Sequence, residues 1–379
     1  ILLTYAIVTG DGMALAYRHG VPLRDMEFVQ YHPTGLLGCG LLMTEGCRGE
    51  GGVLYNKDGY RYLQDYGLGP ETPVGHPKNK YMELGPRDRL SQAFWNESNK
   101  APVPVRPVVH YTMGGIETNG NTETRMPGLY AGGECASVGI HGANRLGSNS
   151  LVETIVFGKI GGDAMAERAH QLKDFDSPEL ARQAEAAQKR ALDLFDVKGT
   201  ESQSKIRHEM GQSMEEGVGI YREEESMQKT IDTLKNLQKR LVNVGITDRG
   251  RVFNTEWMNR IELGYTLDVA QCMVHSAINR KESRGSHQRL DGPNGAYKQR
   301  DDVNFLKHSL AFKQDGADEP RIELSDVKIT TFQPAKRVYG AEAEAAEAAK
   351  PQERQRRLNN GITAENYEDH CSSLSPRAG

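Results

Sequence analysis

Apolar and polar positions divide this chain into stretches of different period. Between about residues 177 and 281, apolar residues recur at three- and four-residue steps: Met227, Ile231, Leu234, Leu237 and Leu241, then Leu263, Leu267, Ala270, Val274 and Ala277. Each set forms one stripe of an amphipathic helix, and two or three such helices predict a small bundle. From Leu310 the period falls to two. Ile322 and Leu324 alternate with polar residues, as do Val327 and Ile329, and Gln314-Asp315-Gly316 supplies a turn, which predicts a small β element. Beyond Tyr339 the chain becomes Ala/Glu-rich and then polar, a pattern of fraying helix followed by disorder. Before residue 166 neither period dominates. Most of the 41 glycines fall there, so this part is loop-rich, with backbone that turns sharply or approaches a ligand closely.

Composition narrows the function classes. The 379 residues carry 47 Lys+Arg against 51 Asp+Glu, a net charge of -4, which argues against a grip on nucleic acid. No apolar run reaches the roughly 20 residues of a membrane helix. The five cysteines (Cys39, Cys47, Cys135, Cys272, Cys371) are scattered without a C-x-x-C. They predict neither an iron–sulfur cluster held within the chain, nor a zinc ribbon, nor a disulfide framework, but a reducing compartment.

Chemistry concentrates between Gly10 and Val156. Thr9-Gly10-Asp11-Gly12 places a carboxylate between glycines, suited to sugar or ribityl hydroxyls, although an Asx turn is the simpler reading. Gln30-Tyr31-His32-Pro33-Thr34-Gly35 and Thr44-Glu45-Gly46-Cys47-Arg48-Gly49-Glu50 gather imidazole, hydroxyl, carboxylate and guanidinium on a glycine-punctuated backbone. Glu83-Leu84-Gly85-Pro86-Arg87-Asp88 reads as a stiffened approach to Arg87 or as a helix start with Pro86 at its first position. The fourth cluster runs from His110-Tyr111-Thr112 through Gly132-Gly133-Glu134 to Asn144-Arg145-Leu146-Gly147-Ser148-Asn149-Ser150-Leu151. A helix is expected to begin near Leu151, capped by Asn149 or Ser150, and to present free N–H groups to an anion. Together His32, His110, Thr44, Arg48, Arg87 and Arg145 suit a small dianion with two separated carboxylates. Without a metal-ligand helix, a Walker sequence or a Ser-His-Asp order, a redox-cofactor site fits best.

These segments, with Lys281-Glu282-Ser283-Arg284-Gly285, His287 and Asp301-Asp302-Val303-Asn304-Phe305, closely resemble the flavoprotein subunits of the fumarate reductase/succinate dehydrogenase family. Tyr31 and Ser148 resemble the bacterial fumarate reductase branch more than the dehydrogenase branch. The resemblance implies an α+β chain: the C-terminal part of a Rossmann-like FAD domain, a partial α/β capping domain, a helical bundle and a small C-terminal β-containing domain. The corresponding boundaries are 1–35 and 106–170 for the FAD domain, 36–105 for a shortened cap, 177–285 for the helical domain, 286–345 for the small domain and 346–379 for a tail. It implies FAD contacts at Asp11, Glu134, Asn149, Ser150 and Leu151. It implies a dicarboxylate, fumarate or succinate, held by His32, Thr44, His110 and Arg145. It further implies hydride transfer from FAD with proton delivery by Arg87, relayed through Glu45 and Arg48, or a purely charge-stabilising Arg87. Quinol would supply electrons through an iron–sulfur subunit with membrane anchors, on the cytoplasmic face of an inner membrane, in anaerobic respiration.

Two departures accompany the resemblance. No G-x-G-x-x-G turn is present, and Asn99-Lys100 runs directly into Ala101-Pro102 where the family carries more capping domain. Residues 1–5 and the tail from about Leu358 are also unlike the family. The expectation is an FAD domain lacking its N-terminal part and a shortened cap. The alternatives are a succinate dehydrogenase flavoprotein subunit and a truncated, non-catalytic fragment; the long match through the helical region disfavours soluble L-aspartate oxidase.

Overall fold

A computed structural model describes residues 9–36, 41–98, 105–172, 177–292, 299–330 and 334. The proposed tail 346–379, the Asn99–Pro104 junction, Cys39 and Cys371 lie outside the described residues. The described architecture is α+β. The short helix α1 (Asp11–Arg18) leads into β1 (Leu23–Arg24) and β2 (Val29–Leu36). Two helices follow, α2 (Glu45–Gly49) and α3 (Arg87–Ser98), then the strands β3 (Val105–Thr112), β4 (Gly115–Glu117) and β5 (Ala136–Ser137). The long helix α4 (Asn149–Gln171) precedes α5 (Pro178–Asp193), α6 (Gln203–Val218), α7 (Glu224–Leu241) and α8 (Thr255–Asn279). A single turn, α9 (Asp302–Phe305), opens the hairpin β6 (Lys307–Phe312) and β7 (Arg321–Asp326).

The helical stripes pack as their spacing predicts. Met227, Ile231, Leu234 and Leu237 of α7 meet Leu263, Leu267, Ala270, Val274 and Ala277 of α8, with Ile206 and Met210 of α6, in one core. Burial of each Leu, Ile, Val or Met side chain among them contributes roughly 1.5–3 kcal/mol. Asn254 caps α8 by accepting the Trp257 N–H at 2.8 Å. Helix α5, capped by Ser177, buries none of its residues. The period-two segment forms β6 and β7, but Val327 and Ile329 lie past the end of β7. The hairpin is not isolated: β6 pairs antiparallel with β1, giving a five-stranded sheet in the order β5-β4-β1-β6-β7. A second core under this sheet joins Tyr17, Leu23, Met26, Ile116 and Ala311 to Cys272 of α8.

A buried ionic knot ties the same segments together. Arg280 donates to Glu27 (2.6 Å), to Glu282 (3.0 Å) and to the Phe305 and Lys307 carbonyls, while Ser309 donates to the other Glu27 oxygen. Arg222 donates to the Glu27 carbonyl and meets His287 Nδ1 at 2.6 Å. Buried charges persist only when paired and hydrogen-bonded in this way.

Candidate active site

The site is built on the two-stranded sheet β2–β3, and irregularities in its register aim the functional side chains. Gln30 pairs with Tyr111 and Tyr31 with Val109, so His110 is an extra residue on β3. Three residues later the surplus is on β2: His32 pairs with Val108 and Gly35 with Arg106, leaving Pro33 and Thr34 to span the step. A bulge bends its strand and re-aims the adjacent side chain, and proline is tolerated in a strand at such a step. His110 therefore sits in one bulge and His32 borders the other. Their rings stand edge to face with centroids 5.2 Å apart.

Both imidazoles are neutral. Burial, and then the neighbouring Arg87, depress His32 to about 3; burial, Arg87 and Arg145 depress His110 to about 4. The proton on His110 can be placed. Arg87 Nη1 (3.4 Å) and Arg145 Nη2 (3.3 Å) both point donors at Nδ1, so Nδ1 is the acceptor and Nε2 carries the hydrogen. On His32, Nδ1 lies 3.3 Å from the Thr34 N–H.

Gln30 orders the two guanidiniums. Its Oε1 accepts from Arg87 Nη1 (3.3 Å) and Arg145 Nη2 (3.1 Å), and its amide N–H groups donate to Asn144 Oδ1 and the Arg145 carbonyl. The sequence reading left Gln30 out of the site. Its signal was position: it shares the β2 face of His32, two residues on. Arg87 also forks onto one oxygen of Glu45, at 3.0 and 2.9 Å. Pro86 stands just ahead of α3 and not at its first position; its carbonyl accepts the Leu90 N–H. Thr44 caps α2 through its hydroxyl oxygen, leaving the hydroxyl hydrogen free to donate outward. Arg48 is 4% exposed behind this wall. Its Nη2 sits 3.9 Å from Glu45, its Nη1 donates to the Glu83 carbonyl, and its Nε has no hydrogen-bond partner. Burial lowers its pKa from the ordinary arginine value.

His32, Thr44, Glu45, Arg87, His110 and Arg145 line one open cleft of about 570 Å³, with Ser148, Ser150 and Leu151 on its rim. Among the charged side chains that line the cleft, Arg87 and Arg145 face one carboxylate, Glu45, and both histidines are neutral. The lining is net positive, which suits a carboxylate-bearing anion.

The residues proposed for the cofactor fall into two groups. Glu134 lines a separate, largely apolar cavity of about 220 Å³ with Thr9, Gly10 and Met13, and His110 forms a wall of both spaces. Asp11, read as an Asx turn, is instead the first residue of α1 and accepts from the Thr9 hydroxyl at 2.6 Å. Ser150 and Leu151 border the cleft, and Asn149 lines neither space. The expected cap at Asn149 or Ser150 is also displaced. Helix α4 starts at Asn149, and Ser148 occupies the cap with left-handed φ 65° and no side-chain hydrogen bond. The Ser148 side chain leaves the first turn uncapped, and the N–H groups of Asn149 and Leu151 donate instead to the Leu146 and Ser148 carbonyls. The Glu134 cavity fits FAD: the Glu134 carboxylate can accept from hydroxyls, and the left-handed backbone at Gly10 and Gly133 allows close approach, whereas Asp11 lines neither space.

An FAD binding domain family matches residues 2–103 and 96–151, and the fumarate reductase flavoprotein C-terminal family matches residues 207–339. The fumarate reductase flavoprotein subunit of Serratia sp. (strain ATCC 39006) is 57% identical, over 90% of this chain and 64% of its own length. That of Escherichia coli K12 is 55% identical over 93% and 65%. A succinate dehydrogenase flavoprotein subunit from Coxiella burnetii is 37% identical over 80% and 58%. Among solved structures, an E. coli quinol fumarate reductase flavoprotein aligns with TM-score 0.83 and 56% identity, over 88% of this chain and 64% of that one. The chain thus spans a little under two thirds of the curated relatives it matches. By sequence and by fold, it belongs to the fumarate reductase/succinate dehydrogenase family of flavoprotein subunits.

Proposed function

We propose that this chain is a fumarate reductase flavoprotein subunit that binds fumarate in the β2–β3 cleft and converts it to succinate. The observation that carries the reading is the convergence of two neutral imidazoles, Thr44 and two guanidiniums on one cleft with excess positive charge. In this reading Arg145 and the Nε2–H of His110 hold one carboxylate, and His32 and Thr44 hold the other. Bound against Glu134, Asp11 and the start of α4, FAD supplies the two-electron reducing chemistry. Arg87 gives a proton to the alkene carbon that gains electron density. A guanidinium is a weak acid, so the step needs a strong carbon base and immediate reprotonation. Glu45, in contact with two Arg87 nitrogens and 45% exposed, is placed to return a proton from solvent. Arg48, 3.9 Å from the same oxygen, biases that carboxylate.

In the same reading the chain divides into Rossmann-like, capping, helical and small C-terminal parts, receives electrons from quinol through an iron–sulfur subunit, and is held by membrane anchors on the cytoplasmic face of the inner membrane. No described helix is long and apolar enough to cross a membrane, so attachment would come through partners. Fumarate reduction is favoured over succinate oxidation because the Serratia and E. coli fumarate reductase subunits are 57% and 55% identical and the Coxiella succinate dehydrogenase subunit 37%. The test is Arg87→Ala. Fumarate reduction with a reduced-dye donor should fall by about 10²–10⁴-fold, while calorimetric dicarboxylate binding persists. Near-normal turnover in that variant rejects proton delivery by Arg87.

A further inference from the structure

Helix α4 buries an unexpected residue. Leu151, Val152 and Ile155 of its first turns are exposed, whereas the carboxylate Glu153 beside them is 2% exposed. A buried carboxylate is costly unless it is hydrogen-bonded. Glu153 Oε2 accepts from the Tyr111 hydroxyl at 2.6 Å and lies 2.8 Å from His141 Nε2. The two rings meet edge to face, with centroids 5.5 Å apart. Burial pushes the Glu153 carboxyl up, but the hydrogen bonds from His141 and Tyr111 outweigh it and hold the group below its ordinary value.

What the carboxylate fixes is Tyr111, and Tyr111 has two connections to the cleft. Its ring lies under the guanidinium of Arg145, with Cζ 4.4 Å from the ring centroid. Its backbone directly follows His110 at the bulge of β3. The other contacts of Arg145 are made by its terminal nitrogens, to Gln30, His110, Ser150 and the Leu146 carbonyl. Its Nε has no hydrogen-bond partner, so the Tyr111 face is what seats the inner part of the guanidinium. We infer that Glu153 is a positioning residue for the substrate-binding Arg145, acting through the Tyr111 ring that it holds by the hydroxyl. The inference rests on the dicarboxylate reading of the cleft. An anion accepting the phenol hydrogen bond fixes the ring plane and enriches its π face, and both strengthen the stack against a cation.

The test is calorimetric titration of the full chain with fumarate, and with the non-reducible dicarboxylate malonate, in four forms: wild type, Glu153→Gln, Arg145→Lys and the double variant. Glu153→Gln should weaken binding by up to about fivefold, the full worth of a cation–π contact of roughly 1 kcal/mol, in a variant that remains folded. In the Arg145→Lys background, where the planar stack is already gone, it should cost nothing further. Tyr111→Phe, which keeps the ring and removes the bond to Glu153, should reproduce the loss and serves if Glu153→Gln fails to fold. Wild-type affinity in a folded Glu153→Gln or Tyr111→Phe variant overturns the inference. So does an equal loss in both Arg145 backgrounds, which marks a role independent of Arg145. If the wild-type chain itself binds neither dicarboxylate, the substrate reading fails and the inference falls with it, an outcome distinguished by the wild-type control.

Discussion

His32 and His110 show how a residue's surroundings decide its use. An imidazole ordinarily titrates near 6.5, but these two sit among guanidiniums under burial and stay neutral down to about 3 and 4. In the unfolded chain each would take up a proton near 6.5. Their neutral burial therefore contributes stability that is complete above about 6.5 and is lost as pH falls toward the folded values. Denaturant titrations between pH 7 and 4 should show this loss, and His32→Asn should flatten the pH dependence; an equally steep profile in that variant would assign it to other groups. The histidines and arginines were legible in the sequence because their chemistry is specific and their density unusual. Gln30 was not, since a neutral amide in a strand also reads as a satisfied core polar group. Nor was the Ser148 cap. A serine ahead of an apolar run signals a helix start, but nothing in its identity announces the left-handed φ that silences its side chain.

At the scale of elements, period was the reliable guide and register the hidden variable. The stripes of α7 and α8 are buried as their spacing requires, because helix geometry alone sets which positions share a face. The bulges in β2–β3 depend on pairing between segments some 75 residues apart, for which Pro33 was the single local sign. Between those strands, the segment carrying α2 and α3 is held by Glu83. Its carboxylate forks onto Arg61 and accepts the Leu54 N–H, while its carbonyl accepts from Arg48. Both Arg61 and Glu83 are buried. Glu83→Ala leaves the Arg61 charge buried without its fork, a change that costs about 3–5 kcal/mol. A thermal melt should show it, and a fall below about 1 kcal/mol would mean that water or Glu71, 3.6 Å from Arg61, takes over. The Glu83 carbonyl that accepts from Arg48 is backbone and is kept in Glu83→Ala, so the same variant should leave the seat of Arg48 in place.

Across the whole molecule, the cleft depends on a segment far along the chain. The turn at 282–287 packs against the loop that carries Arg145. The Ser286 N–H and hydroxyl both donate to the Ala143 carbonyl, at 2.9 and 3.0 Å. Gly285 makes that approach possible: its φ is 56°, and a Cβ there would overlap the Ala143 carbonyl. The same turn is anchored on its other side by Glu282 and His287 in the ionic knot around Arg280 and Arg222. A rigid path therefore runs from the knot through Gly285 to Ala143, two residues before Arg145. Gly285→Ala must either strain the turn, at roughly 1–2 kcal/mol for a left-handed non-glycine residue, or push the Ala143 loop outward and draw Arg145 away from Gln30 and His110. Strain alone lowers the unfolding temperature and leaves dicarboxylate affinity intact. Displacement weakens dicarboxylate binding although residue 285 touches no substrate. The overlap favours displacement, because the atoms met are the Ala143 backbone and Cβ rather than the far end of a flexible side chain, while the turn is anchored in the knot. Gly285→Ala should thus weaken binding along with stability, and a variant that melts early yet binds at wild-type affinity would show that the Arg145 loop holds its place without the C-terminal segment.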